Sequence, residues 1–295
     1  MAALVWDSEG QRFYQTGDKN MALFVFNSTA KTISAGGNSY TTNYYAGEAW
    51  NGITAVTESP SGAEPTDLWA DDTKYATMRS AEQFGGTIEA YTYPDSWEEC
   101  DGSKTLNGVT VGQQSRKAFG LAYITTVGND TELNDYGEKL HLVYNATANP
   151  SERSYATIND SPEAITFSWE FTTTPIDIGE GYKKASIITI DKKKANADTY
   201  AAFKKLVFGD TNNEAFLPSP ADVLTFFGST PAYEYVEYDP TSDGNWDQTY
   251  FRYYTESDDV YTMIGEMDKP PKKSDEDTAT GRGPYIGPYY DKRLV

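Results

Sequence analysis

Ile165-Thr166-Phe167-Ser168-Trp169-Glu170-Phe171-Thr172 alternates a large apolar side chain with a small or charged polar one at every step. Successive side chains of a strand point to opposite faces, so a strict period of two marks a strand with one face buried and the other wet. Similar reasoning applies around it. In 84–93, Ile88, Ala90 and Thr92 interleave with Glu89, Tyr91 and Tyr93. Aromatic and β-branched residues give strand character to 21–27 (MALFVFN), 74–80, 116–127, 139–145 and 184–191. The stretch 47–58 reads as a strand entered through Asn51-Gly52, and 2–7 is a short apolar run of strand type. Polar composition makes 29–42, with Gly36-Gly37, and 128–137 loops.

One helix stands out. From Ala195 to Phe208 the apolar residues Tyr200, Phe203, Leu206 and Val207 form one stripe, Lys204 and Lys205 lie near the end where cations favour the dipole, and Gly209 is placed to cap it. Asp95–Asp101 reads as a turn or short helix, and Ala221–Phe227 as a short apolar element behind Pro218 and Pro220. The fold class is all-β with one flanking α-helix. Composition shifts near Gly228, dividing the chain into a core over 1–228 and a Tyr-rich, acidic extension over 229–295. Within the extension, 233–238 and 249–255 have strand character and 269–282 reads as a linker. The final GPYIGPYYDKRLV, with its Gly-Pro pairs, is excluded from a regular helix or a central strand. No tandem repeat is present.

Charge excludes more than it identifies. The 295 residues carry 44 acids against 24 Lys and Arg, a formal net charge of −20. Nucleic-acid grip depends on neutralising phosphates with cations, so this chain is not built to hold DNA; an acidic surface repels it. With a single cysteine, Cys100, no intrachain disulfide forms, which fits a cytosolic place of synthesis. The N-terminus has no basic region followed by an apolar run, and no apolar stretch approaches the ~20 residues that span a bilayer, so no membrane role is expected.

Catalytic chemistry finds little footing. The one histidine, His141, lies in an apolar strand, where a structural role outweighs a catalytic one. Cys100 follows Glu98 and Glu99, which raise a thiol pKa and blunt its nucleophilicity. No phosphate loop, zinc spacing or other cofactor motif occurs. The acid doublets Glu98-Glu99, Asp71-Asp72 and Asp258-Asp259 do not by themselves make a glycosidase pair. The acids of 239–247 miss calcium-loop spacing. The chain is expected not to be an enzyme and to need no cofactor. A carbohydrate-binding module is the alternative, with Trp50, Trp69 and Trp97 to stack on sugars.

Ser59–Asp72 (SPSGAEPTDLWADD) contains Pro, Gly and acids that forbid a central strand, yet it carries Leu68 and Trp69. Either these tuck under the domain or they meet a partner.

Three segments together carry a resemblance: AWNGITAVTESPSGAEPTDLWADDTKY (49–75), SAEQFGGTIEAYTYPDSWEECDG (80–102), and the run from GQQSRKAFGLAYITTVG to ITFSWEFTTTP (112–175). They closely resemble the major tail tube proteins of siphovirus-type bacteriophages and prophages of Gram-positive bacteria, over most of 3–227. The region 18–45 and the tail beyond 228 depart from that pattern. The resemblance implies a β-sandwich or half-barrel with a long inter-subunit loop or hairpin. It implies hexameric rings stacked into a virion tube that conducts DNA during ejection, with the tape measure protein and tail completion or initiator proteins as further partners. Another virion structural role is the remaining alternative of this kind. On this reading Ser59, Pro60, Leu68, Trp69, Asp71 and Asp72 belong to the inter-subunit arm. Glu89, with Tyr91 and Tyr93, or Thr166, Ser168, Glu170 and Thr172, are candidates for the lumen wall. DNA contact there is transient and non-specific, and the extension decorates the tube or braces adjacent rings.

Overall fold

A computed structural model describes residues 5–35, 38–62, 64–155, 157, 164–211, 213–228, 233–237, 251–257, 260–267 and 290–294. The chain divides into two compact units, 1–229 and 230–295. The first holds strands β1 (Phe13–Ala35), β2 (Asn38–Tyr44), β3 (Glu48–Trp50), β4 (Ile53–Glu58), β5 (Ser61–Gly62), β6 (Pro65–Ala70), β7 (Thr73–Arg79), β8 (Glu82–Gln83) and β9 (Gly85–Ala90). After a 3-10 turn at Asp95–Trp97 and the short helix α1 (Glu98–Asp101) come β10 (Lys104–Leu106), β11 (Val109–Val111), β12 (Phe119–Asn129), β13 (Leu133–Ala148), β14 (Phe167–Thr173) and β15 (Ile187–Asp191). Helices α2 (Ala197–Phe208) and α3 (Pro220–Phe226) close the unit.

The architecture is mostly antiparallel β-sheet with a flanking helix, as the alternation requires. Pairing runs β1-β12-β13-β14-β9-β4. β3, joined to β4 through Asn51-Gly52, pairs back onto β1 with Met21 opposite Trp50. The ladder therefore returns to its starting strand and wraps a core. Gly52, at φ +76°, allows the kink that sends one strand to two neighbours. A second bend lies in β13. Phe119 pairs Ala146 but Leu121 pairs Val143, a one-residue bulge with Asn145 at φ +50°. Across it β13 exchanges β15 for β14 on its other edge, with Ala146 opposite both Phe119 and Thr173.

The alternation sorts two cores. Met21, Leu23, Val25, Phe119, Leu121, Tyr123 and Val143 join Ile88, Trp169 and Phe171 in the first, with Trp97 and Cys100 from the α1 region plugging it. Rings there pack edge to face: Trp97 and Trp169 lie 5.5 Å apart at 72°. The intervening residues Ala22, Phe24, Ala122, Ile124, Leu140, Leu142 and Tyr144 face outward, where Tyr200, Phe203 and Val207 of α2 and Val223 of α3 cover them. The apolar stripe of α2 is thus its buried face, and Asn196 caps it by accepting from the Asp198 and Thr199 amides at 3.0 and 3.1 Å.

Several expectations are corrected. Residues 29–42 are not a loop: β1 and β2 form a long hairpin, Lys31 opposite Thr42 and Ile33 opposite Tyr40. Nor is 128–137, since β12 and β13 run through it to a tight turn at 130–132. The stretch 2–7 yields no strand over its described part. In the second unit β16 (Tyr233–Glu237), β17 (Phe251–Ser257), β18 (Val260–Met267) and β19 (Tyr290–Leu294) form a sheet ordered β16-β19-β17-β18. The last residues therefore do make a central strand, because the Gly-Pro pairs end at Pro288 and free the chain beyond to pair on both edges. The regions 269–282 and 239–247 lie outside the described residues.

Candidate assembly surface

Residues 53–90 form one antiparallel ribbon. β4 pairs β9 in the barrel wall, then β5 pairs β8 and β6 pairs β7 beyond it. The ribbon leaves the barrel after Glu58, and from Ser59 to Gln83 every described residue except Ala76 is exposed. Among the described residues these two strands have no third layer to bury their side chains. Trp69 is 68% exposed, Tyr75 77%, Met78 57% and Leu68 40%. Register puts Leu68 opposite Ala76 and Thr66 opposite Met78, so Leu68, Ala76 and Met78 share a face. An isolated hairpin is marginal in water, and contiguous exposed apolar groups mark interaction sites.

Local polar contacts hold the arm. Lys74 Nζ lies 2.7 Å from Asp67 Oδ1, which also accepts from Thr77 Oγ1 at 2.8 Å; the two donors lower the Asp67 pKa. Ala70 pairs with Thr73 across a two-residue turn whose members, Asp71 and Asp72, sit at φ +49° and +58°. This is the doubly left-handed hairpin turn that ordinarily selects Asn-Gly or Asp-Gly. Of the arm residues read from sequence, Ser59 and Pro60 lie at its root, Leu68 and Trp69 near its far end, and Asp71 and Asp72 at its tip. Residues 74–80, read as a strand, prove to be the return strand of the arm and add Tyr75 and Met78 to it; that membership was missed, although pairing about an Asp-Asp turn doubles whatever the outgoing strand exposes.

The candidate wall residues meet on one sheet face. Ser168 pairs Glu89, Glu170 pairs Thr87, and Thr172 pairs both Gly85 and Thr147. β4 extends the face with Ala55 beside Glu89 and Thr57 beside Thr87. Glu170 and Thr172 are exposed, while Ser168 and Glu89 are half-buried. None of these side chains is cationic. Their sequence neighbours Trp169, Phe171 and Ile88 fill the barrel. Thr166 precedes β14 and stays outside the ladder. Tyr93 does not share the Glu89 face: β9 ends at Ala90, and the Tyr93 ring turns to pack on Phe167 and Trp169, 5.5 Å from each.

A second exposed hairpin, β10–β11, was not read from sequence. Leu106, Val109 and Val111 are 69%, 66% and 53% exposed around a turn at Asn107-Gly108. The Asn-Gly pair between apolar residues was the signal for it.

His141 sits at the root of the arm. It stacks flat on Tyr123 at 4.7 Å, with Thr125 Oγ1 2.9 Å from Nε2 and Thr189 Oγ1 3.2 Å from Nδ1. Glu58 Oε1 lies 3.4 Å from Nδ1 and accepts from the Tyr123 hydroxyl at 2.6 Å. Burial pushes the His141 pKa down despite Glu58. A hydroxyl, an imidazole and a carboxylate thus lie in order, but His141 is 7% exposed beneath the Tyr123 ring, so the arrangement knits β4, β12, β13 and β15 together. Burial, aided by Glu99, pushes the Cys100 thiol up to about 12, too high to supply a thiolate nucleophile. Trp50 and Trp97 are buried and unavailable for sugar stacking, leaving Trp69 alone of the three. Among the described residues no group of three acids, cysteines or histidines is placed to hold a metal ion, and no helix is long and apolar enough to cross a membrane.

No family model matches the chain, and no curated protein matches it.

Proposed function

We propose that the chain is the repeating subunit of a bacteriophage tail tube, assembling with copies of itself into stacked, hexameric rings in the virion. One observation carries the reading: a barrel that projects a two-stranded ribbon with Leu68, Trp69, Tyr75 and Met78 in solvent. A free monomer gains nothing from that exposure, whereas a neighbour that covers it gains about 25 cal/mol for each Å² of apolar area removed from water. The Glu89, Ser168, Glu170 and Thr172 face would form the lumen wall, acidic and small, so that passing DNA finds no cation to hold it. The tape measure protein and tail initiator proteins would meet the same rings during assembly. Electron microscopy of the purified full chain over a concentration series tests this. Rings or tubes of uniform width are expected. A persistent monomer that binds a glycan array would overturn the reading in favour of a carbohydrate-binding module, and a reconstruction with Glu170 on the outer surface would overturn the wall assignment.

A further inference from the structure

A groove of about 900 Å³ lies between α2 and the barrel; its accessible apolar lining is Ile53, Ala201, Phe208 and Ala215, over the buried Trp50 and Tyr200. Four lysines also line it, Lys19, Lys192, Lys204 and Lys205, against two acids, Asp18 and Glu138. Glu138 already engages Lys204 at 2.7 Å and Lys19 at 3.4 Å. Lys192 and Lys205 are exposed, and neither has an ion-pair partner among the described residues. In a chain with 44 acids and 24 Lys and Arg, a cleft with a surplus of cations is a local reversal of the prevailing charge. Its apolar lining and free ammonium groups fit a ligand that is both hydrophobic and anionic, and its volume is within the range of ligand-sized clefts.

The tip of the β6–β7 ribbon has that chemistry. Trp69 precedes Asp71 and Asp72, and neither acid pairs with a cation among the described residues. Both hold left-handed backbone conformations that glycine would adopt without steric cost. Keeping two carboxylates there, where Asp-Gly would serve the turn better, singles out charge as what the tip provides. Trp69 is 68% exposed in its own chain, so the tip is not seated in its own groove.

We propose that the groove between α2 and the barrel receives the Trp69–Asp72 tip from a second copy of this chain, the indole against the apolar lining and the two carboxylates toward Lys192 and Lys205. The proposal rests on the self-assembly reading and gives the arm a receptor.

Charge exchange in the full chain tests it, read by sedimentation velocity and electron microscopy. Lys192→Glu/Lys205→Glu and Asp71→Lys/Asp72→Lys should each raise the concentration at which assembly begins by about tenfold, as expected for two partly exposed ion pairs turned repulsive. Asp71→Asn/Asp72→Asn, which keeps residues tolerant of the left-handed turn, should weaken assembly in the same direction. The four-fold variant should recover to near the wild-type value. A Lys205→Cys/Asp72→Cys chain should cross-link between copies on oxidation, since Cys100 is buried. Wild-type assembly that is indifferent to the groove lysines sinks the groove and leaves the tube reading standing. Assembly lost with the groove variants but unchanged with the tip variants assigns the groove to another segment and also overturns the proposal. A wild-type chain that never self-associates overturns both.

Discussion

β14 and β6 each carry a tryptophan in an extended strand, and the two meet opposite fates. Trp169 is 2% exposed, ringed by Trp50, Trp97 and Phe167 at 5.5–5.6 Å, whereas Trp69 is 68% exposed. Neither the local backbone nor the residue type separates them. What separates them is the second layer: β14 lies in a ladder that folds back on itself, while β6 has one partner strand and, among the described residues, no layer that buries it. Apolar surface in the first region stabilises the monomer. In the second it is held in reserve, and on the reading proposed here it stabilises the assembly.

The largest expected effect follows directly. Trp169→Ala should cost about 3–5 kcal/mol of stability, the range for emptying a large aromatic site in a core. Trp69→Ala should stay within about 0.5 kcal/mol, as for a surface change that leaves no cavity. Denaturant unfolding at a concentration below the onset of assembly measures both. Equal losses would break the comparison and show that the arm folds back against its own barrel.

Acid should also separate the regions. Burial lowers the folded-state pKa of His141 below its ordinary 6.5, so the unfolded chain binds the proton more readily. Stability is then fully present above the ordinary value and is lost as pH falls from there through the lowered one. Glu138 acts in a lower window. Burial would raise its pKa, but Lys204 and Lys19 hold it below 4.5, so its contribution is present above that value and is lost as pH falls through the lowered one. Both groups sit in the barrel, and the chain has no other histidine. Thermal unfolding should therefore show acid-induced losses in two windows, the first abolished by His141→Gln and the second reduced by Glu138→Gln, with the exposed Asp67 and Asp130 sharing the lower window. The arm's amide exchange should be indifferent to the first. An arm that loosens in the imidazole range would show that Glu58, which touches His141 and starts the ribbon, couples the two regions.

The same contrast explains what could be read from sequence. Ile88 and Ala90, Trp169 and Phe171, and the α2 stripe were legible because a buried face imposes a period on the residues that make it. The β1–β2 hairpin was not, because Lys31, Thr32 and Ser34 are exposed and the buried Tyr40, Thr42 and Tyr44 follow a Gly-Gly pair that reads as a break. The terminal strand was hidden by the Gly-Pro pairs just before it. The arm was legible as an oddity, large apolar residues among Pro and Asp, but its length was not, since β7 shows no buried face from which to take a period. The groove was invisible: Lys19 lies far in sequence from Lys192 and Lys205, and they meet only through α2 packing on the barrel.

The smallest effect probes the tip itself. Asp72→Gly removes a carboxylate and places at φ +58° the residue that tolerates it best. The turn should tighten by a few tenths to about 1 kcal/mol, the scale of glycine's advantage where the chain must turn left-handed, seen as slower amide exchange at Ala70 and Thr73. If the tip serves only as a hairpin end, a better hairpin should assemble at least as well. If its charge is what a neighbour reads, the variant should be locally more ordered and yet associate more weakly. Shape and charge are thus set against each other by one substitution: order gained together with assembly gained would reduce Asp72 to a turn residue, while order gained with assembly lost would identify the arm as a region whose local stability was given up for contact with another copy.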